Sequence, residues 1–412
     1  MKMTSKAKWT CMIYLAGDNN LSPAADVDLK EMRIVGSTEN LNIIAQVDRA
    51  GGQGTMRYCI QRDGKGEKPE SLGTMDSGDP KTLTDFISWA AADYPAQRYA
   101  LILWNHGGGW EPSEMDRIAR AVGTPDYNPR EATERSATPL ARTLFRTSLK
   151  KIFSLSSPAE RAICSDDGSG HSLDTIELGN VLAEAVKTLG QPLDLLGMDA
   201  CLMSNLEVAY QVQPYAKYMV ASEESEPNNG WPYDAVMRKL AEEADLPTAK
   251  FAEHIVHEYI KSYVDIGYAG PVTQAAGDLS KVKDVVDPLD KLADALIAHM
   301  PDAANEVWKA QKNSARFWHN TLWDISHFCE ELVKGTSDKS VRNAAREVRA
   351  ALQSGNERFV IAEAHNGTSV EHCAGSTIYF PSPITNISQY YADLDYASKH
   401  RWLSFLKAYH AA

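Results

Sequence analysis

The sequence predicts an α/β protein, a mostly parallel sheet flanked by helices with an added C-terminal α+β portion. Three observations carry this. Apolar strand-like runs alternate with amphipathic helix patterns through the first half of the chain, the order that builds a parallel sheet covered on both faces. Two of these buried strands run into chemically distinctive ends, YALILWNHGGGW at Tyr99–Trp110 and LLGMDACLMSNLEVAY at Leu195–Tyr210. Beyond about residue 240 the pattern turns mostly helical, with a few strand-like pieces.

Taken in order, Trp9–Ala16 reads as the first strand. GDNNLSP follows, with Ser22 as a candidate cap and Pro23 at the first helical position. That helix runs to Val35 and stops at Gly36. Asn42–Val47 is the second strand, and Met56–Arg62 reads as an edge strand after the glycine-rich turn at 51–54. Asp79-Pro80 opens a helix with Leu83, Phe86, Ile87 and Ala90 on one face, closed at Pro95. Ala162–Cys164 is a short strand, Thr175–Leu189 a helix ending at Gly190, and Tyr218–Ser222 a strand. Later strand-like pieces are Val272–Ala276, Phe359–Ala364 and Ser376–Phe380; periodicity leaves open whether they extend the first sheet or form a second.

A length of 412 residues allows two or three domains and a large core. A net charge of −13 argues against a nucleic-acid partner, which needs a concentrated basic face. No apolar run approaches the roughly 20 residues of a membrane span. The six cysteines are scattered without a CxxC pair, so they do not form a disulfide framework. The basic, then apolar, N-terminus runs straight into the first strand and reads as structure. This favours a cytoplasmic location, with secretion as the alternative.

Residues 112–161 interrupt the alternation. Within 117–151, eight basic residues stand against three acids, a local charge of +5 in an acidic chain. A loop this long inside a compact domain is usually functional or disordered.

A strand-end cysteine and a strand-end histidine are the two parts of a thiolate–imidazole site. Here they are Cys201 and His106. Glycines 107–109 let the backbone approach a ligand and offer N–H donors. HGGGW also fits the oxyanion segment of lipases, but that class needs a GxSxG elbow, and none occurs. No residues read as metal ligands: His254, His257 and Glu258 lack zinc spacing, and His365, His372 and Cys373 are better explained by a strand–loop–strand. Asp18, Asn20, Asp26 and Asp28 superficially suggest calcium, without an EF-hand glycine.

Together these motifs resemble the clostripain family of cysteine peptidases, related to gingipain, legumain and the caspases. The resemblance rests on YLAGDNNL (Tyr14–Leu21), ILWNHGGGW and GMDACLMSNLEVAY, with weaker matches at VASEES, GWPY and GSTIYFP. It implies a caspase–hemoglobinase-like catalytic domain at about 1–235, with 112–161 as a processing loop, and a mainly helical C-terminal portion at 236–412. It also implies a Cys201–His106 dyad and oxyanion donors at Gly107 and Cys201. Asp199, two before the cysteine, would line the pocket for the side chain preceding the cut and favour Arg or Lys. The pocket wall would come from Ser222–Asn229, with Ser222 and Glu223 as substrate-binding candidates. Arg120, Arg130 and Arg135 are candidate self-processing sites. The partner is a protein or peptide substrate; no cofactor is required, although some family members respond to calcium. Two other readings stay open, a catalytically silent scaffold and a thiol hydrolase of small amides or esters.

Overall fold

The computed structural model describes residues 6–19, 21–105, 107, 109–110, 163–166, 171–173, 175–317, 321–352, 355, 357–388 and 390–412. The first long apolar run becomes β1 (Ala7–Gly17), buried along nearly its whole length. Helix α1 (Ser22–Val35) follows with Pro23 in its first turn. Its cap residue is Leu21, and Ser22 is not a side-chain cap: its hydroxyl instead accepts the Ala50 N–H at 3.2 Å. Gly36 ends the helix at φ 70, and a Cβ there would stand 2.2 Å from the Arg62 nitrogen, so only glycine fits.

The chain continues through β2 (Leu41–Arg49), β3 (Thr55–Cys59) and β4 (Glu70–Gly73). The expected edge strand at 56–62 is therefore one position inside the edge, with β4 paired outside it. Helix α2 (Pro80–Asp93) starts where Asp79 accepts the Lys81 N–H at 2.8 Å. Then come β5 (Ala96–Trp104), a β6 (Ile163–Asp166) and β7 (His171–Leu173) pair, α3 (Thr175–Leu189) and β8 (Leu193–Asp199). Helix α4 (Leu206–Val212) and β9 (Ala216–Ala221) complete the alternating part.

The remaining elements are α5 (Tyr233–Glu242), α6 (Thr248–Asp265), β10 (Val272–Asp278), α7 (Val282–Ala298) and α8 (Ala304–Asn313). After them come β11 (Arg316–Phe317), β12 (Leu322–Asp324), α9 (Ile325–Gly335) and α10 (Lys339–Leu352). Strands β13 (Val360–Asn366) and β14 (Thr377–Tyr379), with α11 (Asp395–Lys399) and α12 (Trp402–Ala411), end the chain.

One nine-stranded sheet organises all of this, in the order β13-β10-β9-β8-β5-β1-β2-β3-β4. The central strands β9, β8, β5, β1 and β2 run parallel, and antiparallel strands close both edges. Thus β10 and β13 extend the first sheet, whereas β14 joins β11 and β12 in a small separate one. The proposed division near residue 235 falls inside this sheet, because β10 and β13 come from beyond it. On one face α1, α5 and α6 pack through Leu29, Met32, Val236, Phe251 and Tyr259. On the other, α2, α3 and α4 are joined by α7, α9, α10 and α12 through Phe86, Leu182, Val208, Leu289, Leu332, Val348 and Phe405. Each such side chain contributes roughly 1.5–3 kcal/mol on burial. Strands buried on both faces explain the continuous apolar runs.

Candidate active site

The parallel strands change direction of succession between β1 and β5, and open α/β sheets leave a crevice at the carboxyl ends of such a switch. Here two asparagines tie the strand ends together. Asn105 donates to the Ala16 carbonyl at 2.7 Å, and Asn19 donates to the Asn105 side-chain oxygen at 3.1 Å. The Leu21 N–H in turn donates to Asn19 at 2.8 Å. His106 follows Asn105 directly and lies outside the described residues, as do Gly108 and the processing candidates Arg120, Arg130 and Arg135. Gly109, at φ 69, is described: a Cβ there would press on the Asn205 amide at 3.2 Å and the Leu202 carbonyl at 3.3 Å.

Next to β5 in the sheet, β8 ends at Asp199 and turns through Ala200 and Cys201. The turn is tight enough to hold Leu202 at φ 63, a conformation that costs a branched residue about 1–2 kcal/mol. The Leu202 N–H donates to the Glu224 carbonyl at 3.2 Å, and Asn205 caps α4 by accepting the Val208 N–H at 2.9 Å. Cys201 is 7% exposed. Its sulfur accepts the Glu226 N–H at 3.2 Å, and its S–H donates back to the Glu226 carbonyl at 3.7 Å. Burial pushes the thiol up to about 11, partly offset by the N–H groups of Glu226 and Gly107. Such a sulfur rests as a thiol and needs a base to become a nucleophile.

A pocket opens beside the sulfur, lined by Trp104, Asp199, Cys201, Glu226, Asn228 and Gly230 among others. Asp199 is buried, and its Oδ2 accepts the Trp231 N–H at 3.2 Å and the Tyr233 hydroxyl at 2.9 Å. Burial raises its carboxyl to about 6, against the pull of its donors. Gly230 lies against that carboxylate at φ 57, where a Cβ would approach Oδ2 to 3.1 Å. Across from Asp199, Glu226 accepts from the Gln274 amide at 3.1 Å. Burial first, and the Asp199 charge second, raise Glu226 well above the usual carboxylate range.

Further acids stand behind the pocket. Asp28 of α1 is raised to about 9, by burial and then by Asp199 and Glu31. Glu31, raised to about 7 mainly by burial, accepts the Tyr233 N–H at 3.0 Å. The interior of this site thus gathers several buried carboxyl groups, all raised above their ordinary values.

Two of the substrate-binding candidates stand elsewhere. Ser222 is fully buried, donating to the Glu224 carbonyl at 2.9 Å and sharing a hydrogen bond with Thr273 at 3.0 Å. Glu223 accepts the Gly375 N–H at 2.9 Å and faces Asp324, away from the pocket. Hydrogen bonds to Thr273 and Gly375 hold these two inward, behind the wall that Glu226 lines. Sequence reasoning placed Glu226 only in the neighbourhood, marked Tyr233 only as part of the GWPY match and Asp28 only as a superficial calcium candidate, and missed Gln274. Asp28 left a further signal: it shares the buried face of α1 with Ala25, Leu29 and Met32.

The other singletons have ordinary surroundings. His254 faces the Ala235 carbonyl at 3.3 Å, His365 pairs with Glu363 at 3.1 Å, and Asp26 pairs with Arg49 at 2.8 Å. Among the described residues no group of three or more His, Cys, Asp or Glu side chains is placed to hold a metal ion. No described helix is long and apolar enough to cross a membrane.

Comparison with known proteins bears on this geometry. A solved secreted C11 cysteine protease from Bacteroides thetaiotaomicron, bound to an irreversible peptide inhibitor, is 19% identical with a TM-score of 0.62; the match covers 96% of this chain and 99% of that one. An inactive zymogen C11 protease from Parabacteroides distasonis is 18% identical with a TM-score of 0.64, at the same coverage. Both show a shared caspase-like fold. Clostripain of Hathewaya histolytica is 30% identical over 264 residues, which is 57% of this chain but only 42% of the length of that relative. A sequence model of the clostripain family matches residues 13–135 and 152–409. With nearly the whole chain accounted for in this way, the protein belongs to the clostripain family.

Proposed function

We propose that this chain is a cysteine endopeptidase that cleaves after Arg or Lys through Cys201 and His106. One observation carries the reading: a pocket lined by carboxyl groups opens beside the sulfur of Cys201, with Asp199 two residues before it. A positively charged side chain placed there would bring its own peptide carbonyl to the sulfur. Membership of the clostripain family, and the peptide inhibitor held by one solved relative of the same fold, support it.

In this mechanism His106 takes the proton of the buried Cys201 thiol, which holds too little thiolate by itself. The thiolate attacks the carbonyl carbon, and the oxygen becomes an oxyanion facing the N–H groups of Gly107 and Cys201. The tetrahedral species collapses, the C–N bond breaks, and His106 returns its proton to the leaving amine. Water, deprotonated by His106, then attacks the thioester, and the sulfur leaves as thiol with the peptide acid released. Cleavage at Arg120, Arg130 or Arg135 by the enzyme itself fits the same specificity; mass mapping of new N-termini after prolonged incubation rejects this if only intact chain is found.

The test of the main reading is turnover of fluorogenic peptides ending in Arg, Lys, Asp or Asn, beside Cys201→Ala. Arg or Lys turnover lost in the variant is the expected result. Preference for Asp or Asn would discard the pocket assignment, and silence on every peptide, even after limited trypsin nicking of 112–161, would discard the activity.

A further inference from the structure

Asp199 and Glu226 line the same pocket, one from the end of β8 and the other from the loop after β9. Their hydrogen-bond partners are unevenly shared. The two donors to Asp199, Trp231 N–H and Tyr233 O–H, both use Oδ2. Glu226 has its Oε1 fixed by Gln274 at 3.1 Å, whereas its Oε2 is sealed from solvent with no donor among the described residues. A buried carboxylate oxygen without a donor is costly, and two carboxylates close together on the wall of one pocket do not readily both ionise.

We propose that Glu226 is a second specificity-determining carboxyl group, sharing one proton with Asp199 in the empty pocket, and that an entering basic side chain displaces this proton to solvent. The inference rests on the Arg/Lys reading above and adds to it a residue and a linked proton. The balance is simple: the singly protonated pair and a guanidinium or ammonium cation give the doubly ionised pair, the bound cation and one H⁺. An arginine fork supplies N–H donors to both carboxylates, filling the vacancy at Glu226 Oε2.

The groups around the pair favour this exchange. Asp28 and Glu31 face it from α1, Tyr233 from α5, Tyr259 and Tyr263 from α6, and Glu224 and the Cys201 thiol from the surrounding loops. Where ionised, the acids among them oppose a second negative charge in the empty pocket and favour a cation in it. Because proton and cation compete, affinity for a basic ligand should weaken by up to about tenfold per pH unit where the pair titrates.

The experiment is calorimetric titration of benzamidinium into the Cys201→Ala protein at pH 7, in two buffers of different ionisation enthalpy. The buffer-dependent heat counts protons. About one proton released on binding is expected. In Cys201→Ala with Glu226→Gln, the amide still accepts from Gln274 but carries no shared proton, so the count should fall to near zero and affinity about tenfold. Binding without proton release, or equal release with and without Glu226→Gln, overturns the proposal while leaving the Arg/Lys reading intact. No binding at all, together with turnover restricted to uncharged peptides, overturns both. Should Glu226→Gln fail to fold, Gln274→Met serves. Losing that donor makes Glu226 hold its proton more tightly, moving the weakening of binding to higher pH; an unmoved profile overturns the proposal.

Discussion

Glu223 and Glu226 belong to the same short loop after β9, and each meets an aspartate from another element. Glu223 faces Asp324, the residue that caps α9. That pair is sealed, and main-chain N–H groups hold it: Gly375 donates to Glu223 at 2.9 Å, while His327 and Ala374 donate to Asp324 at 2.6 and 2.7 Å. Glu226 faces Asp199 on the wall of an open pocket. Burial is the first cause of the upward shift in all four carboxyl groups. A perturbed carboxyl therefore does not by itself separate a binding group from a structural one. The difference lies in access: the sealed pair fastens the loop to the small sheet and α9, and the open pair presents its charge to whatever enters.

This contrast predicts that the two pairs fail differently when broken. Asp199→Ala should lower kcat/KM for Arg peptides by about 10²–10³-fold, the scale expected when a buried charged partner is removed, with the fold retained and a smaller loss of stability from the orphaned Trp231 and Tyr233 donors. Asp324→Ala should instead cost about 3 kcal/mol in denaturant unfolding, because it strips a helix cap and leaves Glu223 without its partner. The ratio of Arg to uncharged-peptide turnover in the folded fraction should stay as in the parent. Exchange of these two outcomes would refute the contrast.

A third test uses pH. Asp28, Glu31 and Asp199 have folded values raised to about 9, 7 and 6. Glu207, elsewhere in the core, is raised to about 7. Each binds a proton in the folded chain at pH values where the unfolded chain has lost it, so stability rises as pH falls from 9 toward 5. His327, lowered by burial, opposes this below its ordinary value of 6.5. The carboxylates with lowered values, such as Glu330, matter only under their unfolded value of 4.5. Melting temperature should therefore be higher at pH 6.5 than at pH 9, and Asp28→Asn should flatten the profile between pH 7 and 9. The smallest effect belongs to Gly230→Ala. A methyl group 3.1 Å from Asp199 Oδ2, on a backbone at φ 57, should reduce Arg-peptide kcat/KM by roughly tenfold, about 1.4 kcal/mol, with the fold retained.

Much of the fold was legible because buried parallel strands write themselves as continuous apolar runs, as in Trp9–Ala16 and Leu195–Met198. The strand β4 was not, because ESLG is short, mostly polar and exposed at the sheet edge. The fate of the C-terminal strands was also closed to periodicity, since Val272 and Ser376 sit in similar runs and differ only in their partners. At the site, Cys201 and Asp199 were visible as a strand end. Ser222 and Glu223 were misplaced because which side of a loop faces a pocket depends on distant anchors, here Thr273 and Gly375. Glu226 shows the same limit: Gln274, which fixes it, comes from the neighbouring strand β10.

The parallel ladder between β5 and β8 joins Ala100–Trp104 to Leu195–Asp199, and segment 112–161 runs between them in sequence. Strand β5 is also paired with β1, and β8 with β9, so each is anchored on its own side of that segment. A nick there would leave two fragments interlocked through the middle of one sheet, one carrying His106 and the other Cys201. If Cys201 and His106 act together as proposed, such halves would behave like a split reporter, regaining chemistry only when reunited. Co-expression of the halves as separate chains would make peptidase activity a readout of their complementation.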